Sequence, residues 1–96
     1  LNCFFREASV RDNRQAGRFE LEIDGAIVFA NYRRAQDRVL ITHVEAPMHL
    51  RGTGAAARLM QEIAGDARER GVKLTPLCSY AAAWFRRNRG YADVTA

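Results

Sequence analysis

Between Phe19 and Val44 the chain carries the short-period patterning of strands. Phe19-Glu20-Leu21-Glu22-Ile23 alternates apolar and charged side chains with period two, so one face is buried and the other faces water. Asp24-Gly25 follows, a pair suited to the positive-φ positions of a two-residue hairpin, and Ala26 to Tyr32 is the returning strand. After a polar turn over Arg33 to Asp37, Val39-Leu40-Ile41-Thr42-His43-Val44 is β-branched and mostly apolar, which predicts a strand covered on both faces. The three segments predict a three-stranded antiparallel meander. Residues 1–16 have no clean period, and Arg11-Asp12-Asn13-Arg14-Gln15 is read as a polar connection.

The period changes after Pro47, which stops the third strand. Gly52 and Gly54 punctuate a loop, and the apolar positions Ala56, Leu59, Met60, Ile63, Ala64 and Ala67 then follow helical spacing, predicting a helix over about residues 54–70. Asp66 and Arg70 form an i,i+4 pair on it, and Gly71 stands where a C-terminal cap is expected. Val72 to Leu77 is a short strand, and a helix between it and the previous strand permits a parallel crossover. A second helix, over about 79–88, carries Tyr80, Ala81, Trp84 and Phe85 on one face, more as core than as a cofactor box, and Gly90 ends it. The order βββαβα makes an α/β (α+β) fold: meander, helix, parallel strand, C-terminal helix.

With 96 residues, 48% hydrophobic and 27% charged, the pattern fits one domain over 1–96 and excludes a disordered chain. No uninterrupted apolar run, Ala26 to Ala30 included, comes near the roughly 20 residues of a membrane helix. The first residues lack the basic and long apolar segments of a secretory signal. Cys3 and Cys78 lie 75 positions apart, with no CxxC pair and two histidines in the chain, so the sequence holds no zinc framework. Both are read as free thiols, which points to the cytoplasm. The net charge of +4 favours anionic partners: nucleic acid, an acidic protein, or a phosphate-bearing cofactor. The arginines are scattered and interleaved with acids, so no basic tail marks a nucleic-acid binder.

The stretch Arg51-Gly52-Thr53-Gly54-Ala55-Ala56 changes that picture most. It sits between a strand and an amphipathic helix, where glycines let the backbone approach a ligand and the first helical amides have no carbonyl partners. Such a helix start is an anion site suited to a pyrophosphate. The Walker pattern GxxxxGK[ST] and the dinucleotide pattern GxGxxG are both absent, which disfavours a nucleotide triphosphatase and a Rossmann dehydrogenase.

These residues resemble the GNAT acetyltransferase superfamily, whose acyl-coenzyme A loop reads R/Q-x-x-G-x-G/A between a strand and a helix, and Arg51 to Ala56 fits every defined position. Further blocks, among them Asp24-Gly25, Thr42-His43-Val44-Glu45, Pro76-Leu77-Cys78 and Tyr91-Ala92-Asp93, resemble the small stand-alone YjdJ-type GNAT-like proteins over about residues 10–94. The resemblance implies an acetyl-coenzyme A-dependent N-acetyltransferase. Its pyrophosphate would rest on the amides of Gly52, Thr53, Gly54, Ala55 and Ala56, and its pantetheine arm would run beside the strand at Val44 to Ala46.

His43 and Glu45, two apart on one strand, share a face, and either can act as general base or serve a structural role. His49 is a surface residue or a contact on the cofactor side. Cys78 is read as a nucleophile, as an acid near the coenzyme A sulfur, or as a small apolar filler. Arg86 and Arg87 are candidates for the phosphate end of the cofactor. Many members have a Tyr where Phe85 stands, acting as general acid, and Phe85 has no hydroxyl. The chain has no room for the further elements that enclose an acceptor in full-sized members, so an open site for an exposed amine such as a protein or peptide lysine is expected, on a monomer or weak dimer. The rival readings are a coenzyme A-binding module without catalysis and a basic domain that binds nucleic acid or protein.

Overall fold

Five strands and two α-helices make up the computed structural model, which describes residues 10–95. The strands are β1 (Arg11–Asn13), β2 (Arg18–Ile23), β3 (Ala26–Ala35), β4 (Arg38–Glu45) and β5 (Lys73–Pro76), and the helices are α1 (Ala55–Arg70) and α2 (Ser79–Arg87). Short 3-10 turns occupy Met48–Leu50 and Arg89–Val94. The sheet order is β1-β2-β3-β4-β5; the first four strands are antiparallel and β5 joins β4 in parallel through α1. The predicted meander is therefore one strand short. Arg11–Asn13 is a strand paired with Arg18 to Glu20, not a polar connection.

Local chemistry fixes the turns and ends. Asp24 and Gly25 both have positive φ, 52° and 79°, the conformation a two-residue hairpin requires to keep the twist of its strands. The cap at Gly71 returns N–H bonds to the carbonyls of Ala67 and Arg68, and Asp66 and Arg70 meet at 2.9 Å as their spacing predicted. The Cys78 thiol accepts a hydrogen bond from the Ala81 N–H at 3.3 Å and so caps the start of α2. That helix stops at Arg87, and the chain turns through Arg89–Val94 rather than ending its helical course at Gly90. Arg68 clamps this last segment, donating to both oxygens of Asp93 and to the Gly90 carbonyl.

The core lies between α1 and one face of the sheet. Phe19, Leu21, Val28, Ala30, Ile41 and Leu74 are buried there against Leu59, Met60, Ile63, Ala64 and Ala67 of α1. Trp84 and Phe85 of α2 are also buried, stacked edge to face at 5.1 Å. The expectation that β4 is covered on both faces is not met: Val39 and Ile41 are buried, while His43 and Glu45 stand exposed on the opposite face. On that open face Glu20 is nevertheless buried, because Arg11 (2.7 Å), Arg18 (2.6 Å) and Asn13 (3.1 Å) all bond its carboxylate. The Arg18 guanidinium also lies 4.4 Å over the ring of Phe29.

The pairing of β3 with β4 has one irregularity. Asn31 pairs with His43 and Tyr32 with Ile41, so a single step on β3 spans two on β4, and Thr42 is an extra residue. A bulge of this kind bends its strand. The pairing of β4 with β5 ends at Ile41 and Pro76, immediately before it. The Ile41 carbonyl then accepts from both Leu77 N–H (2.9 Å) and Cys78 N–H (3.2 Å), and beyond that point the two strands pair no further.

Candidate functional site

Where β4 and β5 part, a cleft of about 430 Å³ opens, lined by Val44, Ala46, Leu50, Arg51, Gly52, Gly54, Ala55, Ala56, Ala57 and Tyr80. Its position, past the carboxyl ends of two parallel strands, is where open α/β sheets bind ligands. The loop on one side is held from below. Leu50 is buried, its carbonyl accepts from the N–H (3.2 Å) and hydroxyl (2.5 Å) of Thr53, and Arg51 Nε donates to the Ala46 carbonyl at 3.2 Å.

Gly52 and Gly54 have φ of 81° and 87°, a conformation that side chains other than glycine resist, and a Cβ at either position would meet no atom within 4 Å. The glycines are there for the path of the backbone, not for want of space. Gly54 caps α1 without any side-chain hydrogen bond, and the first helical bond runs from Arg58 N–H to the Gly54 carbonyl. The amides of Ala55, Ala56 and Ala57 therefore precede the hydrogen-bonded helix, and no acidic residue stands in its first turn. Amides without a hydrogen-bond acceptor among the described residues, the positive end of a helix and a glycine-shaped approach are the features that suit a phosphate-bearing group, and the side chains around the cleft beside them are mostly small.

The structure places Val44, Ala46, Arg51, Gly52, Gly54, Ala55 and Ala56 together around the cleft. Thr53 belongs to the loop but turns its hydroxyl to Leu50. His49 is exposed in the 3-10 turn. His43 and Glu45 share a face as expected and bond each other, Nε2 to Oε1, at 2.9 Å; Val44 between them points to the cleft. The imidazole bond, aided by the charge of Arg51, holds the Glu45 carboxyl below the usual carboxylate range. Arg86 and Arg87 are exposed in the last turn of α2, and the charge of Arg87 reaches Tyr80. Cys78 is half-buried at its cap position and is not among the residues lining the cleft, and Cys3 lies outside the described residues.

Tyr80 is a site residue that the sequence pattern conceals. Its aromatic ring at helical spacing from Trp84 has the signature of core, yet it is only half-buried and lines the cleft. Burial raises its hydroxyl above the ordinary tyrosine value, so it keeps its proton at neutral pH. Leu50 and Ala57 also line the cleft, where the loop motif alone did not place them. The usable signal for Tyr80 was its place one turn past β5, at the carboxyl end of a parallel pair.

Among the described residues, no helix is long and apolar enough to cross a membrane, and no group of three or more His, Cys, Asp or Glu side chains is placed to hold a metal ion. Comparison with known proteins gives two findings. The model of the GCN5-related N-acetyltransferase family matches residues 18–94. The solution structure of a GCN5-like protein from Staphylococcus aureus has the same fold, with a TM-score of 0.65 and 21% identity over 94% of this chain and 89% of that one. No curated protein matches the chain in sequence.

Proposed function

Because the chain belongs to the GCN5-related N-acetyltransferase family, we propose that it is an acetyl-coenzyme A-dependent N-acetyltransferase that acts on an exposed amine such as the lysine of a peptide or protein. The observation that carries this reading is the cradle of free amides at Ala55 to Ala57, approached through Gly52 and Gly54 and opening on the cleft where β4 leaves β5. Acetyl-coenzyme A, when bound, supplies a thioester-activated acetyl group. The residues that would hold it are the loop from Arg51 to Ala56, with Ala57, for the pyrophosphate, Val44 and Ala46 for the arm, and Arg87 for the outer phosphate.

The chain's own groups then divide the remaining work. The His43 and Glu45 pair supplies the proton acceptor for the amine. Tyr80 lines the cleft with its hydroxyl protonated, and would supply there the proton donor that Phe85, buried against Trp84 and without a hydroxyl, cannot be. Cys78 acts through its cap on α2, which sets the position of Tyr80 two residues on. The open face around His43 and Glu45, flanked by the exposed apolar residues Met48 (79%) and Leu77 (59%) at the ends of the two parting strands, suits an amine carried on a larger chain better than one that must be enclosed.

Calorimetric titration with acetyl-coenzyme A and with coenzyme A, followed by an acetylation assay on lysine peptides and polyamines, tests this reading. Binding of both ligands and acetylation of the peptides is the expected result. Binding without turnover on any amine assigns the chain to coenzyme A binding alone, the reading that the missing hydroxyl at Phe85 favours. No binding at millimolar ligand overturns the proposal.

A further inference from the structure

His43 and Glu45 do not have equal parts in accepting the proton. We propose that His43 Nδ1 is the atom that takes it and that Glu45 is a positioning residue that holds the imidazole by its other nitrogen; this rests on the acetyltransferase reading.

His43 Nε2 and Glu45 Oε1 lie 2.9 Å apart. Glu45 is held in its charged form, first by the hydrogen bond from His43, and a carboxylate can only accept hydrogen bonds. The hydrogen between them therefore sits on Nε2, and the neutral ring carries its lone pair on Nδ1. Nδ1 has no hydrogen-bond partner among the described residues and stands on an exposed face. The same bond that frees Nδ1 makes Glu45 the poorer base, since a carboxylate whose proton affinity has fallen has less pull on an ammonium proton.

The surroundings place no competing acid on the imidazole. Across β3, Asn31 lies opposite His43 and Phe29 opposite Glu45, with Arg33 two residues further along the same face. On β2, Arg18 lies opposite Asn31, but its guanidinium is committed to Glu20 and to the ring of Phe29. On β5, Lys73 stands level with Arg38 at the far end of β4, and α2 carries Arg86 and Arg87 exposed and Tyr80 in the cleft. Arg51 acts on Glu45 from the loop.

The step balances with the acceptor alone. An N–H bond of the ammonium breaks, its electron pair stays on nitrogen as the attacking lone pair, and the proton joins Nδ1. The resulting imidazolium keeps its Nε2–H on the Glu45 carboxylate and returns its proton to water on the open face.

The test follows His43 ring resonances by NMR in the free protein, for wild type and Glu45→Gln, and sets them beside the pH dependence of kcat/KM with a lysine peptide for wild type, Glu45→Gln and His43→Gln. Both side chains are exposed, so the variants should fold, and the NMR spectra report it. In the wild type the His43 ring nitrogens are expected to report the Nε2–H tautomer, and in Glu45→Gln, where a neutral amide can donate as well as accept, that preference should weaken. Glu45→Gln should lower kcat/KM about 10-fold, through the lost hold on the ring. His43→Gln should lose about 100-fold, the lower range for removing a general base. Loss of activity in Glu45→Gln as complete as in His43→Gln, or a wild-type ring in the Nδ1–H tautomer, overturns the assignment. A wild-type protein that acetylates nothing overturns the acetyltransferase reading instead, and the coupling of the two side chains is still read in the free protein.

Discussion

Among the described charged residues, Glu20 is the one that is buried. It is 5% exposed on a face that is otherwise open, and three donors hold its carboxyl down at about 2, the Arg11 hydrogen bond first and the Arg18 hydrogen bond next. A carboxyl lowered on folding stabilises the protein above its unfolded value near 4.5, and that contribution is lost as pH falls through about 2. Glu20→Gln is expected to cost about 2 kcal/mol at pH 7, less than the full shift implies because Arg11 is solvent-exposed. In urea melts, the gap between wild type and variant should close between pH 4.5 and pH 2. Tyr80→Phe is expected to leave coenzyme A affinity nearly unchanged and to lower kcat about 10-fold, a modest effect because a thiolate leaves readily. An unchanged kcat removes Tyr80 from the chemistry. Both residues were hard to find in the sequence. Glu20 looked like the wet half of an alternating strand, and nothing in its neighbours announced that Arg11, Asn13 and Arg18 would converge on it. The i,i+2 relation of His43 and Glu45 was legible, because strand geometry alone puts them on one face.

At the scale of elements, legibility tracks the strength of the period. β2, the Asp24-Gly25 hairpin, α1 and its Gly71 cap were readable because each has a backbone requirement that few residues meet. β1 was not, since Arg11, Asp12 and Asn13 are polar and show no alternation; that strand is held by its backbone ladder with β2 and by its side chains, Arg11 and Asn13 on Glu20 and Asp12 on Arg34 and the Tyr32 hydroxyl. The β-branched run of β4 concealed that its last residues leave the core. The loop before α1 was legible for a physical reason, that only glycine takes the turns at 52 and 54 without strain. Gly54→Val is expected to weaken acetyl-coenzyme A binding at least 10-fold while the circular dichroism spectrum stays native, because the substitution strains a surface loop and leaves the core in place. Wild-type affinity in that variant removes the loop from the binding site.

The whole molecule is small, cationic and open. Its net charge of +4 and a cleft bordered by Arg51, with Arg87 beyond Tyr80, favour an anionic ligand. Coenzyme A affinity should therefore weaken several-fold as salt rises from about 0.01 to about 1 M, where the screening length falls from about 30 to about 3 Å. A salt-independent affinity would place the binding energy in apolar contacts with the cleft.

Thr42 carries a consequence of a different kind. Because it is the surplus residue, removing it leaves Ile41 and His43 as neighbours that already pair with Tyr32 and Asn31, with Val44 and Glu45 keeping their faces. A chain shorter by that one residue would have every other side chain of the site and a regular ladder between β3 and β4. Deleting Thr42 is therefore expected to straighten β4 just where it leaves β5, and so to reshape the cleft without changing any residue that lines it.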